Sequence, residues 1–259
     1  MNGQIQKTQD ARRKTQDTKG FSLIEVLMAV GTLAIGMLFI AGVFPVSIHF
    51  TTVSSERTIA ATVADEAFAK IKLYSGYLSA PSDVNQSPFD LPPALVGEYA
   101  YPSTPTTDPV SKKYWWSAIC RRVGPAEVQV TVFVSRKAGV TSTYLTPSGA
   151  TDSVRPVAVP IGFNPVLPTP TYELALSLAN RMFISDGYTI VDNVSGQICR
   201  VLDRTDDLTG GVIKIDRPWN DAAGGSMWVV PPPVIVTGTQ IIPNGRYPCI
   251  AVYQKVMRF

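Results

Sequence analysis

Histidine is almost missing from this chain: His49 is the only one in 259 residues. That scarcity removes the two-histidine zinc helix and most acid–base pairs built on imidazole. His49 itself ends an apolar run, away from any nucleophile motif, and reads as an ordinary side chain at a membrane boundary. Cysteine is sparse too. Cys120, Cys199 and Cys249 are widely spaced and form no CxxC, which excludes the usual zinc spacings and allows at most one disulfide. Charged residues make up 17% of the chain, below the quarter or so of an ordinary domain. Glycine-rich phosphate loops, Walker motifs and nucleophile elbows are absent as well. Catalysis therefore has no positive support, so no enzyme is expected and no cofactor or metal is called for.

The few charges are unevenly placed. Residues 1–20 carry Lys7, Arg12, Arg13, Lys14 and Lys19 against Asp10 and Asp17, which accounts for the whole net charge of +3 and leaves 18 basic and 18 acidic residues beyond. A neutral remainder without a basic, aromatic-studded patch predicts no nucleic-acid partner. The basic leader is better read as a topology signal that stays on the cytoplasmic side.

From Phe21 to Phe50 the sequence is FSLIEVLMAVGTLAIGMLFIAGVFPVSIHF, in which Glu25 is the only residue charged at neutral pH. Crossing the hydrocarbon core takes about 20 apolar residues, so residues 26–48 suffice as a transmembrane segment. A secretory signal peptide has an apolar region of only about 7–15 residues, so a retained anchor fits better. Glu25 is the informative residue, because an ionised side chain in a bilayer costs roughly 2.5–3.5 kcal/mol on insertion scales. A chain cut after Gly20 presents the α-amine of Phe21, a cation that this carboxylate can neutralise. Within one helix that pairing is geometrically awkward, which favours the amine of a neighbouring subunit. The plainer alternative is a polar residue near the headgroups with no partner.

Lys19-Gly20-Phe21-Ser22-Leu23-Ile24-Glu25-Val26-Leu27 resembles the prepilin-type cleavage and methylation signal of type IV pilins and type II secretion pseudopilins. The run Ala34–Gly42 further resembles PilV-type minor pilins and GspI-type pseudopilins. The resemblance implies cleavage after Gly20 by a prepilin peptidase/methyltransferase, N-methylation of the new N-terminus at Phe21, and an assembly role for Glu25. It implies a subunit that waits in the bacterial inner membrane as a single-pass protein with its C-terminal part in the periplasm. From there it enters or initiates a type IV pilus or type II secretion filament. Its partners would be the peptidase, other pilins or pseudopilins, and the inner-membrane assembly platform.

Beyond Pro45, which removes one helical hydrogen bond and predicts a kink or local opening, the pattern turns amphipathic. Ala60, Val63, Ala64, Ala67, Ile71 and Tyr74 recur at spacings of three and four, so the helix should continue to about Ser75 and stop at Gly76. Residues 79–110 and 141–172 hold seven and six prolines and read as extended linkers or long loops. Between them, residues 114–122 and 127–136 predict a hairpin turning at Gly124-Pro125 and packing on the amphipathic half of the helix. Trp115 and Trp116 point to opposite faces of its first strand, so at most one readily enters that core.

After an ambiguous stretch at residues 173–184, six short strands are predicted, at 188–191, 197–202, 211–216, 227–230, 234–237 and 250–259. The expected fold class is α+β: a long N-terminal helix on a hairpin or small sheet, then a C-terminal all-β barrel or sandwich. The expected organisation is a leader (1–20), a helix (21–76), a linker with the pilin-type β region (77–140), a proline-rich linker (141–172) and a C-terminal β module (173–259).

In a periplasmic module Cys199 and Cys249, both in strand-like runs, are candidates for a disulfide; three buried thiols are the alternative. Asp203, Asp206 and Asp207 lack the pattern of a calcium loop and read as a solvated turn. A second functional reading is a binding module: the β region recognises a surface, a glycan or a secreted substrate, and the membrane or filament displays it.

Overall fold

The computed structural model describes residues 20–77, 85–103, 111–139, 142–151, 153–162, 171–219, 225–238 and 240–259. The chain divides into two compact units, one up to Ser54 and one from Ser55 to Phe259. One helix, α1, spans Leu23–Leu73 and runs on through Pro45. It ends close to the expected place, passing into a short 3-10 turn at Ser75–Tyr77.

In the second unit α1 buries Ala60, Val63, Ala64, Ala67 and Ile71, the stripe that the spacing predicted, with Tyr74 half-buried beside it. Three of the five are alanines, whose small side chains let the helix backbone approach the sheet closely. Val63 and Ile71 supply most of the apolar burial, about 1.5–3 kcal/mol each. Lys70 anchors the end of α1, its Nζ reaching Glu66 at 2.9 Å, Glu98 Oε2 at 2.8 Å and the Glu98 carbonyl at 2.8 Å.

The strands among the described residues are β1 (Ser87–Pro88), β2 (Ala100–Tyr101), β3 (Tyr114–Gly124), β4 (Glu127–Arg136), β5 (Thr143–Thr146), β6 (Gly149–Thr151), β7 (Val157–Pro160) and β8 (Thr171–Ser177). They continue with β9 (Thr189–Asp192), β10 (Ile198–Asp206), β11 (Gly210–Trp219), β12 (Ser226–Val229), β13 (Pro233–Thr237), β14 (Gln240–Pro243) and β15 (Cys249–Arg258). They form three antiparallel sheets, in the orders β1-β3-β4-β15 with β2 also on β3, β7-β12-β9-β10-β11-β8, and β14-β13-β5-β6. The fold is thus α+β, a long N-terminal helix packed on a sheet and followed by an all-β region.

The first sheet is buried on both faces, so β4 is buried without interruption from Val130 to Ser135 although its sequence alternates. Val128, Val130, Val132 and Val134 join the cluster with α1, while Phe133 faces the other way, with Ile119 of β3. On that second face it meets Tyr144, Val191 and Trp228 from the other two sheets. The same alternation splits the second sheet. Val191 and Trp228 point to the first sheet, whereas Ile190, Met227 and Val229 point into a separate core that includes Leu145 and Val234 of the third. Trp116 is in the α1-facing core, and its indole N–H donates to the Glu98 carbonyl at 3.0 Å.

Polar contacts at the β9–β10 turn join the first two sheets. Asp192 is buried and its carboxylate accepts from the amides of Val194 at 3.0 Å and Ser195 at 3.1 Å. Gln254 of β15 donates to the Gly196 carbonyl at 2.8 Å, and Gln86 to that of Asp192 at 3.0 Å. Gly196 has φ +73°. A β-carbon there would come within 2.8 Å of Gln129 and Gln86.

Three features differ from the sequence reading. The C-terminal strand, expected within the last module, pairs along its length with β4. Strands β5, β6 and β7 lie in the stretch read as a proline-rich linker; Pro160 is tolerated because β7 is an edge strand. The ambiguous stretch resolves as strand β8 followed by a 3-10 turn at Arg181–Phe183.

Candidate functional site

The residues singled out by the sequence gather at the start of α1. Residues 1–19, with the basic leader, lie outside the described residues. Gly20 is exposed, with no atom within 4 Å of where a β-carbon would stand. Phe21 is 80% exposed. The carbonyl of Ser22 accepts the amides of Glu25 at 2.9 Å and Val26 at 3.1 Å, which makes Ser22 the residue that caps the helix.

Glu25 sits in the first turn, where the unpaired amides and the helix dipole favour a negative charge. Ser22-Leu23-Ile24-Glu25 has the S-x-x-E spacing of a capping box, a pattern that the sequence reading missed. The Glu25 side chain is exposed and makes no ion pair among the described residues.

Every residue from 21 to 50 is exposed, including Leu38 at 75% and Phe39 at 68%. Among the described residues α1 is the one helix long and apolar enough to cross a membrane. An apolar surface running all round a helix is stable only against lipid or other helices. His49 lies in this stretch, its ring 6.2 Å from that of Phe50.

The other candidates stand apart from the helix start. All three cysteines are free thiols. Cys199 is paired with Ile190 across β9–β10 and Cys249 with Ser135 across β15–β4, so the two are not on neighbouring strands as a cross-strand disulfide requires. Burial pushes each of the three thiols up to about 12. Asp206 pairs with Arg204 at 3.0 Å. The Asp207 carboxylate accepts the Thr209 hydroxyl at 2.8 Å and the amides of Thr209 and Gly210 at 2.7 Å, bonds that hold it below the usual carboxylate range. Asp207 thus serves its own turn and Asp206 its own strand, and no group of three metal-ligating side chains occurs among the described residues.

Comparison of the chain with protein-family models, curated proteins and solved structures finds no match.

Proposed function

We propose that this protein is a prepilin-like structural subunit, held in the inner membrane by the apolar part of α1 and later packed through it into a type IV pilus or type II secretion filament, as a minor pilin or pseudopilin. The observation that carries the reading is the juxtaposition at the helix start. Gly20 and Phe21 are exposed immediately before a helix whose residues up to 50 bury nothing, with Glu25 in its first turn. An accessible glycine before the helix suits a peptidase that must bring extended backbone close. A carboxylate one turn into an otherwise apolar helix suits a neighbouring subunit's α-amine.

The test is processing followed by assembly. Intact-mass measurement of the chain made beside a prepilin peptidase should find a product beginning at N-methylated Phe21, and Gly20→Leu should abolish it. Glu25→Val should still be inserted and cut, yet be lost from sheared filaments, since removing one member of a buried ion pair costs about 3–5 kcal/mol. Glu25→Gln isolates the charge. It keeps a polar side chain of the same shape and loses only the charge, so its absence from filaments assigns assembly to the charge, and its presence at wild-type levels removes the pairing.

A second reading, a displayed binding module, draws on Leu208. It is 97% exposed at the tip of the β10–β11 hairpin, beside the turn that Asp207 holds.

A further inference from the structure

Between β14 and β15 the chain turns at Asn244-Gly245. Asn2 and Asn244 are the asparagines that precede a glycine in the sequence, and of these Asn244 is the one among the described residues. Both Asn244 and Gly245 are exposed. Gly245 has φ +94°, a left-handed conformation that side chains disfavour. A β-carbon there would also stand only 3.4 Å from Pro233 Cγ. The turn therefore keeps glycine, and glycine leaves its amide nitrogen unshielded beside the asparagine carboxamide.

Hydrogen bonding sets this asparagine apart from the others described. The Asn244 amide donates to the Pro233 carbonyl at 2.8 Å, which holds the backbone in place. Among the described residues its carboxamide makes no hydrogen bond, and the Gly245 amide donates none. Elsewhere one of the two groups is occupied. The Asn180 carboxamide donates to the Pro160 carbonyl at 2.9 Å, and that of Asn193 accepts the Trp228 indole N–H at 2.7 Å. After Asn85, the Gln86 amide donates to the Asn193 carbonyl at 3.1 Å. The exposed Asp186-Gly187 turn has a similar glycine, with φ +79°, but there the glycine amide donates to the Val201 carbonyl at 2.9 Å.

We propose that Asn244 is a site of spontaneous covalent modification, at which the chain deamidates itself through Gly245. The Gly245 nitrogen attacks the carboxamide carbon of Asn244 and forms a carbon–nitrogen bond, closing a five-membered succinimide. The bond from that carbon to Nδ2 breaks, and Nδ2 leaves as ammonia with the proton that Gly245 gives up. Water then opens the ring at either carbonyl carbon, returns a proton to the Gly245 nitrogen, and leaves aspartate or isoaspartate. Water is the sole co-reactant. Each event replaces a neutral amide by a carboxylate, and the isoaspartyl product adds one carbon to the main chain where β14 leads to β15.

The full chain in detergent, incubated at mildly alkaline pH with circular dichroism confirming that it stays folded, tests the site by peptide mapping. The peptide holding residue 244 should gain the mass of an amide-to-carboxylate exchange and become a substrate for an isoaspartate-specific methyltransferase. Asn85, Asn180 and Asn193 should stay intact. In Asn244→Gln, whose longer side chain closes a larger ring more slowly, that peptide should stay unchanged. A second sample unfolded in urea separates fold from sequence. Asn244 should react within about tenfold of its folded rate, because an exposed turn waits for no opening. Isoaspartate at Asp186 should instead form at least about tenfold faster than in the folded protein, once the Gly187 amide is released.

A folded rate at Asn244 more than about tenfold below the unfolded one overturns the proposal, since the turn then protects the site. Equal modification at Asn180 or Asn193 overturns it as well, because their hydrogen bonds would then make no difference. So does isoaspartate at Asp186 that forms equally fast in both samples, which removes amide access as the cause.

Discussion

The two halves of α1 have the same backbone and opposite surroundings. Residues 21–50 are almost entirely apolar and all exposed, whereas between residues 60 and 71 fewer apolar side chains occur and five of them are buried to 2% exposure or less. Apolar content alone therefore does not tell where a helix lies. Arrangement does: a stripe at spacings of three and four can be covered by one sheet, while a surface apolar on every side needs lipid or a ring of other helices. The second half is completed by its own chain, through the valines of β4. The first half has no such cover among the described residues.

The largest effect that tests this contrast comes from placing a carboxylate in each half. Val63→Asp puts a charge with no partner where the wild-type side chain is 0% exposed, and it should cost about 4–5 kcal/mol or prevent folding, measured by urea unfolding in detergent. Leu38→Asp should leave that unfolding curve unchanged. It should instead lower membrane retention on carbonate extraction, since aspartate at the centre of a membrane helix costs about 2.5–3.5 kcal/mol. If Leu38→Asp destabilised the β region as much as Val63→Asp, the contrast would fail.

A smaller effect follows from volume. Ala64→Leu forces four-carbon bulk into the close approach between α1 and the first sheet and should cost about 1–3 kcal/mol. Ala34→Leu lies in the exposed half and should leave the melting temperature of the β region where it was. Equal shifts for the two would mean that the apolar half is packed on the same core.

The smallest effect is a pH dependence confined to one side of the comparison. Residues 21–50 contain no cysteine, tyrosine or lysine, whereas Cys120 lies in the α1-facing core. Burial raises the folded-state value of Cys120, and of Cys199 and Cys249, from 9.0 to about 12. A raised value means that the folded state keeps the proton the unfolded state gives up. The stability from neutral buried thiols is therefore fully present below pH 9 and is lost progressively toward pH 12. Denaturation midpoints of the β region should be flat to about pH 9 and then fall, and Cys120→Ala should flatten part of that fall. At pH 8 the buried Cys120 and Cys199 should resist iodoacetamide until the protein unfolds. Rapid alkylation of either in the folded protein would contradict this burial.

Sequence by itself determined whatever depends on near neighbours. The apolar run, the start and end of α1, its buried stripe and the β3–β4 hairpin are set by side chains a few positions apart, and periodicity reports such relations directly. Even the capping-box spacing of Ser22 and Glu25 was within reach, because the two are three residues apart. Only the tertiary structure decided relations between distant segments. It moved β15 from the last module to the edge of the first sheet, since its residues suit either site and the choice rests on which partner strand is free. It also showed that β4 is buried on both faces, where an alternating pattern suggested one.

For the same reason sequence could not place the cysteines. Whether Cys199 meets Cys249 depends on strand order, which carries no local signature. Nor could it assemble Lys113 and Lys137 with Arg136 around a cavity, because the antiparallel register of β3 and β4 brings together cations that lie on either side of the hairpin. Local sequence thus fixed the elements and the helix-facing stripe, while long-range pairing chose which faces are covered and which charges end up side by side.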